Sequence, residues 1–290
     1  MTGTITVGLD GTEESAGAAD WAAREADRTG MALRLVHAHL WQPLDAPVAP
    51  DAGTQQRQAR KLLADEEARL TALVPGLSVD SELLAEDPVP ALVAEAARAE
   101  MLVLGSRGHG ALVGYLLGSV SLHVLRQAER PVVVVHGRAP AGSAAAGSGE
   151  VLVGVQESDE SGSAVLEFAF RAAAARGATV RAVRAWTLPP PFTWTPGALS
   201  AVDEAGGLES LHKKLLADAV RPVRERYPQV DVVEHTEIGA AAEVLLTNGA
   251  DAGLVVVGRR ARDGGLRRIG AVAHAVLHHA AAPVAVVPHV

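Results

Sequence analysis

Apolar runs typical of β-strands alternate with helical patterns along the whole chain. The runs at 101–105 and 131–135 are continuously apolar, which is typical of strands that helices cover on both faces. Alternating strands and helices predict a parallel sheet with right-handed crossovers. In the first half, the pattern predicts strands over 4–9, 33–39, 78–84, 101–105 and 131–135 and helices over 13–29, 54–74, 88–99 and 117–128.

The pattern of the first half recurs in the second half. Segments 5–15, 31–41, 99–108 and 123–136 resemble, in the same order, segments 151–161, 178–186, 250–261 and 275–288. Because chance does not produce four matches in one order, we interpret the chain as a tandem duplication. The second copy is predicted to have strands over 150–155, 179–186, 230–236, 253–257 and 283–287 and helices over 160–176, 205–226, 239–249 and 267–280.

Residues 137–150, GRAPAGSAAAGSGE, separate the two copies. Their glycine, alanine, serine and proline content is typical of a flexible linker. The length of 290 residues also suits two ordinary domains. We therefore predict an α/β protein with two tandem doubly wound domains, over 1–138 and 150–290, joined by a linker over 139–149.

Composition and charge exclude several classes of protein. The chain has no cysteine, which excludes disulfides, cysteine-ligated zinc and thiol catalysis. Its net charge of −8 argues against binding to nucleic acid or to an anionic membrane surface. No run reaches the about 20 apolar residues of a membrane span, and the amino terminus lacks the pattern of an export signal. We therefore expect a cytoplasmic protein that contacts neither membrane nor nucleic acid.

Two segments follow predicted strands at the edge where α/β sheets bind ligands. Residues 10–12, Asp-Gly-Thr, follow the first strand, and the stretch GSRGHGALVGYLLGSVS (105–121) follows the fourth. Ligands bind beyond the carboxyl ends of the strands, where the strand order reverses. Gly105 and Gly108 allow positive φ and a close approach of the backbone to a ligand. Successive bare N–H groups there can form a concave nest for an anion.

The glycine-rich stretch ends where a helix is predicted to begin. Ser119 and Ser121 therefore lie at or near a helix N-terminus, where hydroxyl and free N–H groups bind phosphate oxygens. Asp10 could accept a hydrogen bond from an adenine or a ribose, or help to hold a metal. In the alternative interpretation, the glycines only shape a turn and the serines only cap the helix. We favour phosphate binding because the whole set is predicted to meet at one edge.

These segments resemble the universal stress protein family, in its tandem two-domain form common in actinobacteria. The family's nucleotide signature, G-x2-G-x9-G-S/T, is matched by Gly105, Gly108, Gly118 and Ser119, and Asp10 corresponds to the family's usual acid. The resemblance implies a five-stranded, Rossmann-like parallel sheet of order 3-2-1-4-5 in each half. It also implies pairing through the fifth strand, so that the halves form an intramolecular pseudo-dimer, and it favours a homodimer of chains.

The resemblance further implies an adenine nucleotide, ATP or sometimes AMP. Mg²⁺ could arrive with the nucleotide. Asp10 and Thr12 would approach the adenosine, and the backbone near Ala38 would meet the adenine. The residues that would surround the ribose and the phosphates are Gly105, Arg107, Gly108, His109, Gly118, Ser119, Val120 and Ser121.

The second copy departs from this signature. Gln156 stands where the first copy has its acid, and Ala261 replaces the second glycine. Ala271 and Ala273 replace the two serines, whereas Gly258 keeps the position of the first glycine. We therefore predict nucleotide binding in the first half only, with the second half as a structural partner.

Two other features of the second copy can each be interpreted either as a binding site or as ordinary protein surface. His274 and His278 have the i, i+4 spacing of a metal pair, but no third ligand is evident and we assign no metal. An arginine-rich loop could bind an anion or reach the first half's phosphates, or it is a solvated surface whose charge Asp263 partly offsets. Its arginines are Arg259, Arg260, Arg262, Arg267 and Arg268.

No catalytic constellation emerges from the sequence, so we assign no catalytic residue. We predict an ATP-binding universal stress protein with a regulatory or sensor role in a stress response, acting on protein partners that the sequence does not identify. Two alternatives stay open: a slow ATPase or adenine-nucleotide hydrolase, and an interaction module that needs no nucleotide.

Overall fold

The computed structural model describes residues 3–40, 52–106, 117–137, 149–156, 160–187, 207–260 and 268–289. The chain divides into two units, Met1–Ala141 and Gly142–Val290, each with its own strands and helices. None of the described helices combines the length and the apolar character that a membrane crossing requires.

The first unit is a parallel sheet with two helices on each face. Its strands are β1 (Thr4–Gly8), β2 (Ala32–Ala38), β3 (Val79–Leu84), β4 (Met101–Ser106) and β5 (Val132–His136). Its helices are α1 (Glu13–Thr29), α2 (Ala52–Leu73), α3 (Pro88–Arg98) and α4 (Ser119–Gln127). The strand order is β3-β2-β1-β4-β5, and α1 contacts α2 while α3 contacts α4.

The second unit repeats this architecture. Its strands are β6 (Val151–Gly154), β7 (Val180–Trp186), β8 (Val232–Ile238), β9 (Leu254–Arg260) and β10 (Val284–His289). Its helices are α5 (Glu160–Arg176), α6 (Gly207–Arg226), α7 (Ala241–Asn248) and α8 (Ala271–His279). The order β8-β7-β6-β9-β10, again all parallel, confirms the predicted α/β fold with sheet order 3-2-1-4-5 in both halves.

Alanine forms the face of α1 that lies on the first sheet. Ala18, Ala19, Ala22, Ala23 and Ala26 are fully buried. Their small side chains let the helix approach β4 and β5, which it contacts together with β1 and β2. Because interiors are densely filled, such a close approach leaves little room for side chains on the strand beneath.

Two buried carboxylates connect separate elements of the first unit. Glu95 of α3 is 3% exposed and accepts a hydrogen bond from Arg34 Nε of β2 at 2.8 Å. Asp20 of α1 is 6% exposed and pairs with Arg69 of α2. Since a buried charge is tolerated only when it is paired, each arginine holds its acid and its two elements in place.

The observed elements agree with the predicted ones except at three places at the carboxyl edges of the sheets. Helix α8 begins at Ala271 rather than at 267. Helix α4 begins at Ser119 rather than at 117, because Gly118 has the extended backbone of an N-cap residue. Strand β9 continues to Arg260 rather than ending at 257. Arg259 and Arg260 are therefore strand residues rather than loop residues. Arg259 is only 2% exposed, so its interpretation as a solvated residue is wrong, whereas Arg260 is exposed as that interpretation expects.

Candidate functional site

The carboxyl edge of the first sheet brings the described site residues to one side of the molecule. Strand β1 lies between β2 and β4, with Gly8 at the level of Val36 and of Leu104. The turn after β1 and the last residues of β2 and β4, which include Ala38 and Gly105, therefore lie at the same edge. The strand order reverses between β1 and β4, which is where sheets of this kind bind ligands.

The turn after β1 is organised by hydrogen bonds between its own side chains. The Oδ1 atom of Asp10 accepts from Thr12 N at 3.1 Å and from Thr12 Oγ1 at 2.6 Å. Thr12 is in turn the N-cap of α1, and its hydroxyl accepts from Ser15 N at 3.2 Å. Gly11 has a φ of 83°, which favours glycine. Asp10 and Thr12 therefore start α1, whatever else they bind.

A cavity of about 420 Å³ lies beside this turn, between the first turns of α1 and the length of α2. A Cβ atom on Gly11 would come within 2.8 Å of Leu62 Cδ1, so α2 approaches the turn closely. Neither Ala38 nor Ser119 is among the residues around the cavity. Those residues are Leu9, Gly11, Thr12, Ser15, Ala16, Gln58, Lys61, Leu62, Asp65, Glu66 and Arg69.

Gly105 has a packing role that the sequence did not reveal. It belongs to β4 and its φ is not positive, so the expected use of left-handed backbone there is wrong. A Cβ atom at this position would lie 2.6 Å from the carbonyl carbon and oxygen of Glu14 and 2.8 Å from Ser15 N. Only glycine lets the first turn of α1 lie on the end of β4.

The first turn of α4 carries the two serines of the signature. Gly118 is the N-cap, and no side chain caps the helix, so the alternative in which the serines only cap α4 is wrong. Ser119 is exposed, Val120 is half-buried and Ser121 is 8% exposed. The uncapped N–H groups and the hydroxyls of this turn suit a phosphate group.

The predicted residues Arg107, Gly108 and His109 lie outside the described part of the chain. The same holds for Ala261, Arg262 and Arg267 of the second copy.

Two further polar contacts at this edge were missed. Ser106 Oγ and His136 Nδ1 are 2.7 Å apart, and Ser106 is fully buried. His37 Nδ1 donates to the carbonyl oxygen of Leu9 at 2.8 Å and so ties β2 to the end of β1. The sequence does show that Ser106 and His136 end two predicted strands. Only the register of β4 with β5 shows that they are partners.

Within the described part of the second unit, the equivalent helix start lacks the serines of the first. Helix α8 also begins after an uncapped glycine, Gly270, but Ala271 and Ala273 stand at its start. A Cβ atom on Gly258 would meet the His289 ring at 2.8 Å and Val165 Cγ2 at 3.2 Å. A side chain at Gly258 would therefore be crowded by its neighbours, as one at Gly105 would be.

The described residues contain no group of three or more histidine, aspartate or glutamate side chains arranged for a metal ion. The rings of His274 and His278 lie side by side on α8 with centroids 4.5 Å apart.

Comparison with known proteins places both halves in one family. The model of the universal stress protein family matches residues 1–136 and 148–288. A universal stress protein of Mycobacterium tuberculosis is 37% identical over 303 residues, covering 97% of this chain and 96% of that protein. One from Mycolicibacterium smegmatis is 34% identical over 296 residues, covering 98% and 96%.

The crystal structure of a universal stress protein from Archaeoglobus fulgidus has the same fold. It superposes with a TM-score of 0.72 over 98% of both chains, at 17% sequence identity.

Proposed function

The chain belongs to the universal stress protein family, and we propose that its first half binds ATP while its second half does not. The observation that carries the proposal is the contrast between two otherwise similar helix starts. Helix α4 begins with Ser119 and Ser121 after an uncapped glycine, whereas α8 begins with Ala271 and Ala273. Uncapped N–H groups with adjacent hydroxyls bind phosphate oxygens, and alanine adds no such group.

The adenosine part of the nucleotide has its place near the turn after β1. Asp10 is exposed, and as a carboxylate it accepts a hydrogen bond from a ribose hydroxyl. Ala38 ends the neighbouring strand, where a small side chain leaves its backbone accessible to the adenine. The cavity beside Gly11 and Thr12 supplies further room at this edge.

The described residues fit a Mg²⁺ ion only as a companion of the nucleotide. They contain no metal-binding cluster, and the Oδ1 atom of Asp10 is already engaged by Thr12. Mg²⁺ in nucleotide sites is held largely by phosphate oxygens and water. When bound, it neutralises phosphate charge, and the chain contributes the orientation of the phosphates at α4.

The proposal includes a regulatory or sensor role for this site. In this proposal, ATP occupancy of the first half is the signal, and protein partners in the cytoplasm respond to it. Dimerisation of chains and the response to stress belong to the same proposal.

Isothermal titration of the full chain with ATP and with AMP tests the proposal. We expect one ATP site per chain. Hydrogen bonds to charged groups contribute about 1.5–3 kcal/mol each. The double variant Ser119→Ala with Ser121→Ala should therefore lower the affinity for ATP at least about tenfold. The matched control, Ala271→Ser with Ala273→Ser, should leave affinity and stoichiometry unchanged.

Three outcomes would contradict the proposal. They are no ATP binding by the unaltered chain, two sites per chain, and unchanged affinity in the double serine variant. Circular dichroism of each variant establishes that the fold is retained.

A further inference from the structure

A cluster of polar and aromatic side chains occupies the carboxyl end of β7 in the second half. Strand register places Val36 and Val183 at the level of the equivalent glycines of β1 and β6. Counting onward from these valines, Arg184 and Trp186 stand where the first half has His37 and His39. Both second-half side chains lie on the face covered by α6, because each contacts His212 of that helix.

Within the described part of the chain, Arg184 makes its hydrogen bonds to neutral groups. Its Nε donates to His212 Nδ1 at 3.2 Å, and its Nη1 donates to the carbonyl oxygen of Gln156 at 2.5 Å. Burial lowers the pKa of Arg184, and burial together with the charge of Arg184 lowers the pKa of His212. His212 is therefore a neutral acceptor, and within the described ranges Arg184 has no carboxylate partner.

Arg181, on the same strand, differs from Arg184 because a carboxylate neutralises its charge. Its Nε lies 2.7 Å from Glu150 Oε2, and a second hydrogen bond of 3.1 Å makes the pair bidentate. A guanidinium that is partly removed from water without such a partner costs free energy. Arg184 therefore has the electrostatic character of a cation that lacks its anion.

Two buried polar atoms of the same cluster also lack hydrogen-bond partners among the described residues. The Trp186 side chain stacks on His212 with ring centroids 4.6 Å apart, is 8% exposed, and leaves its Nε1–H unsatisfied. Thr236 Oγ1 is buried and unsatisfied as well. Thr236 on β8 is the register partner of Arg184, so the two lie about 5 Å apart at the backbone and point to the same face. Buried polar groups without partners are rare in folded proteins.

A cavity of about 630 Å³ opens beside Thr236, between α6 and β8. Two lysines, Lys213 and Lys214, and two acids, Glu209 and Glu234, line it and balance each other in charge. Arg184 is not among the lining residues, but as the register partner of Thr236 it adds a positive charge beside the cavity. The cavity offers space for a small molecule beside Thr236, which carries one of the two unsatisfied atoms.

We propose that this cluster in the second half binds a small molecule through a carboxylate or phosphate group, with Arg184, Thr236 and the Trp186 indole N–H as its donors. The site is independent of the nucleotide site proposed for the first half. An oxyanion accepts from all three donors, and it supplies the negative charge that Arg184 lacks.

Nuclear magnetic resonance of the ¹⁵N-labelled full chain tests this site directly. The chain has four tryptophans, and Trp186→Phe identifies the indole signal of Trp186. We expect a saturable shift of that signal on titration with sodium phosphate or with sodium succinate, and the salt that acts identifies the preferred group. Arg184→Gln should weaken the binding by about tenfold or more, as expected for loss of a charged donor.

The matched control is Arg181→Gln, which removes the same charge from the same strand but leaves the cluster intact. Thr236→Val, which preserves shape and removes only the hydroxyl, gives a second test should Arg184→Gln fail to fold. The proposal is overturned if neither salt moves the Trp186 signal, or if Arg181→Gln weakens the binding as much as Arg184→Gln does. No nucleotide is present, so failure here is distinguishable from failure of the ATP proposal.

Discussion

The carboxyl edges of the two sheets differ more than the sheets themselves. Both sheets have the same strand order, and α4 and α8 both begin after an uncapped glycine. At the first edge, serines begin the helix and a cavity lies beside the turn after β1. At the second edge, alanines begin the helix, and Arg184 reaches across to the end of β6. One backbone arrangement therefore carries two kinds of chemistry in a single chain.

The two units also hold equivalent acids in different ways. Asp20 on α1 pairs with Arg69 of α2. On α5, Glu167 instead accepts from the Tyr227 hydroxyl at 2.5 Å and pairs with Arg226 at 2.7 Å. The bond to Glu167 raises the pKa of Tyr227. Each half therefore connects its first and second helices through an acid, but with its own partners.

The largest expected difference in stability between the halves comes from the glycines at equivalent positions, Gly105 and Gly258. Gly105→Ala forces a Cβ against the backbone of α1, which cannot move without disturbing the helix, and should lower the free energy of unfolding by about 3 kcal/mol. The Cβ atom that Gly258→Ala adds would meet mainly the end of the His289 side chain. The free energy of unfolding should fall by about 1 kcal/mol. Hydrogen exchange followed separately in peptides of each half measures both effects. Equal losses in the two halves would remove this distinction.

A second test compares two arginines that start from equivalent strand positions. Arg34→Gln leaves Glu95, whose side chain is 4% exposed, with the exposed Arg98 at 3.3 Å as its one remaining charged partner among the described residues. The change should lower the free energy of unfolding by about 2 kcal/mol. Arg181→Gln breaks a pair with Glu150, whose side chain is 37% exposed, and should cost about 0.5 kcal/mol. Urea unfolding of the two variants gives the comparison. A larger loss for Arg181→Gln would show that burial of the acid does not set the cost.

The smallest expected effect is a pH dependence confined to the second half. Burial and the charge of Arg184 lower the pKa of His212 from its ordinary value of 6.5. Because the unfolded chain then binds the proton more readily, the stability associated with neutral His212 is complete above about pH 6.5 and declines as the pH falls below it. His212→Gln should flatten that decline in urea unfolding measured at successive pH values. An unchanged profile would assign the decline to other groups.

Most of the fold could be predicted from the periodicity of apolar residues. Helix α1 over Glu13–Thr29 matches its predicted range because a helical pattern is bounded by a capping threonine and by Gly30. Strand β9 was predicted too short because its apolar run ends at Val257, whereas its ladder with β10 continues to Arg260. Hydrogen bonding to a neighbouring strand is a tertiary property that a sequence pattern does not contain.

The candidate site was predictable only in part, for the same reason. Ser119 and Ser121 are local signals, and their place in the first turn of α4 is as predicted. The contact between β4 and α1 that excludes a side chain at Gly105 joins residues about 90 positions apart. The cluster at Arg184 likewise needs the register of β7 with β8 and the approach of α6.

The crowding around Gly105 changes how the nucleotide signature of this chain should be interpreted. The signature mixes a glycine that the packing requires with serines that we propose bind a phosphate. When the second copy diverged, it kept the glycine at 258 and lost both serines, as expected if the two kinds are under separate constraints. Survival of this glycine is therefore no sign of a working site. A designer who wishes to install nucleotide binding in the second half should leave Gly258 untouched and change Gln156 and Ala261 as well as the start of α8, because serines at α8 alone are not expected to create a site.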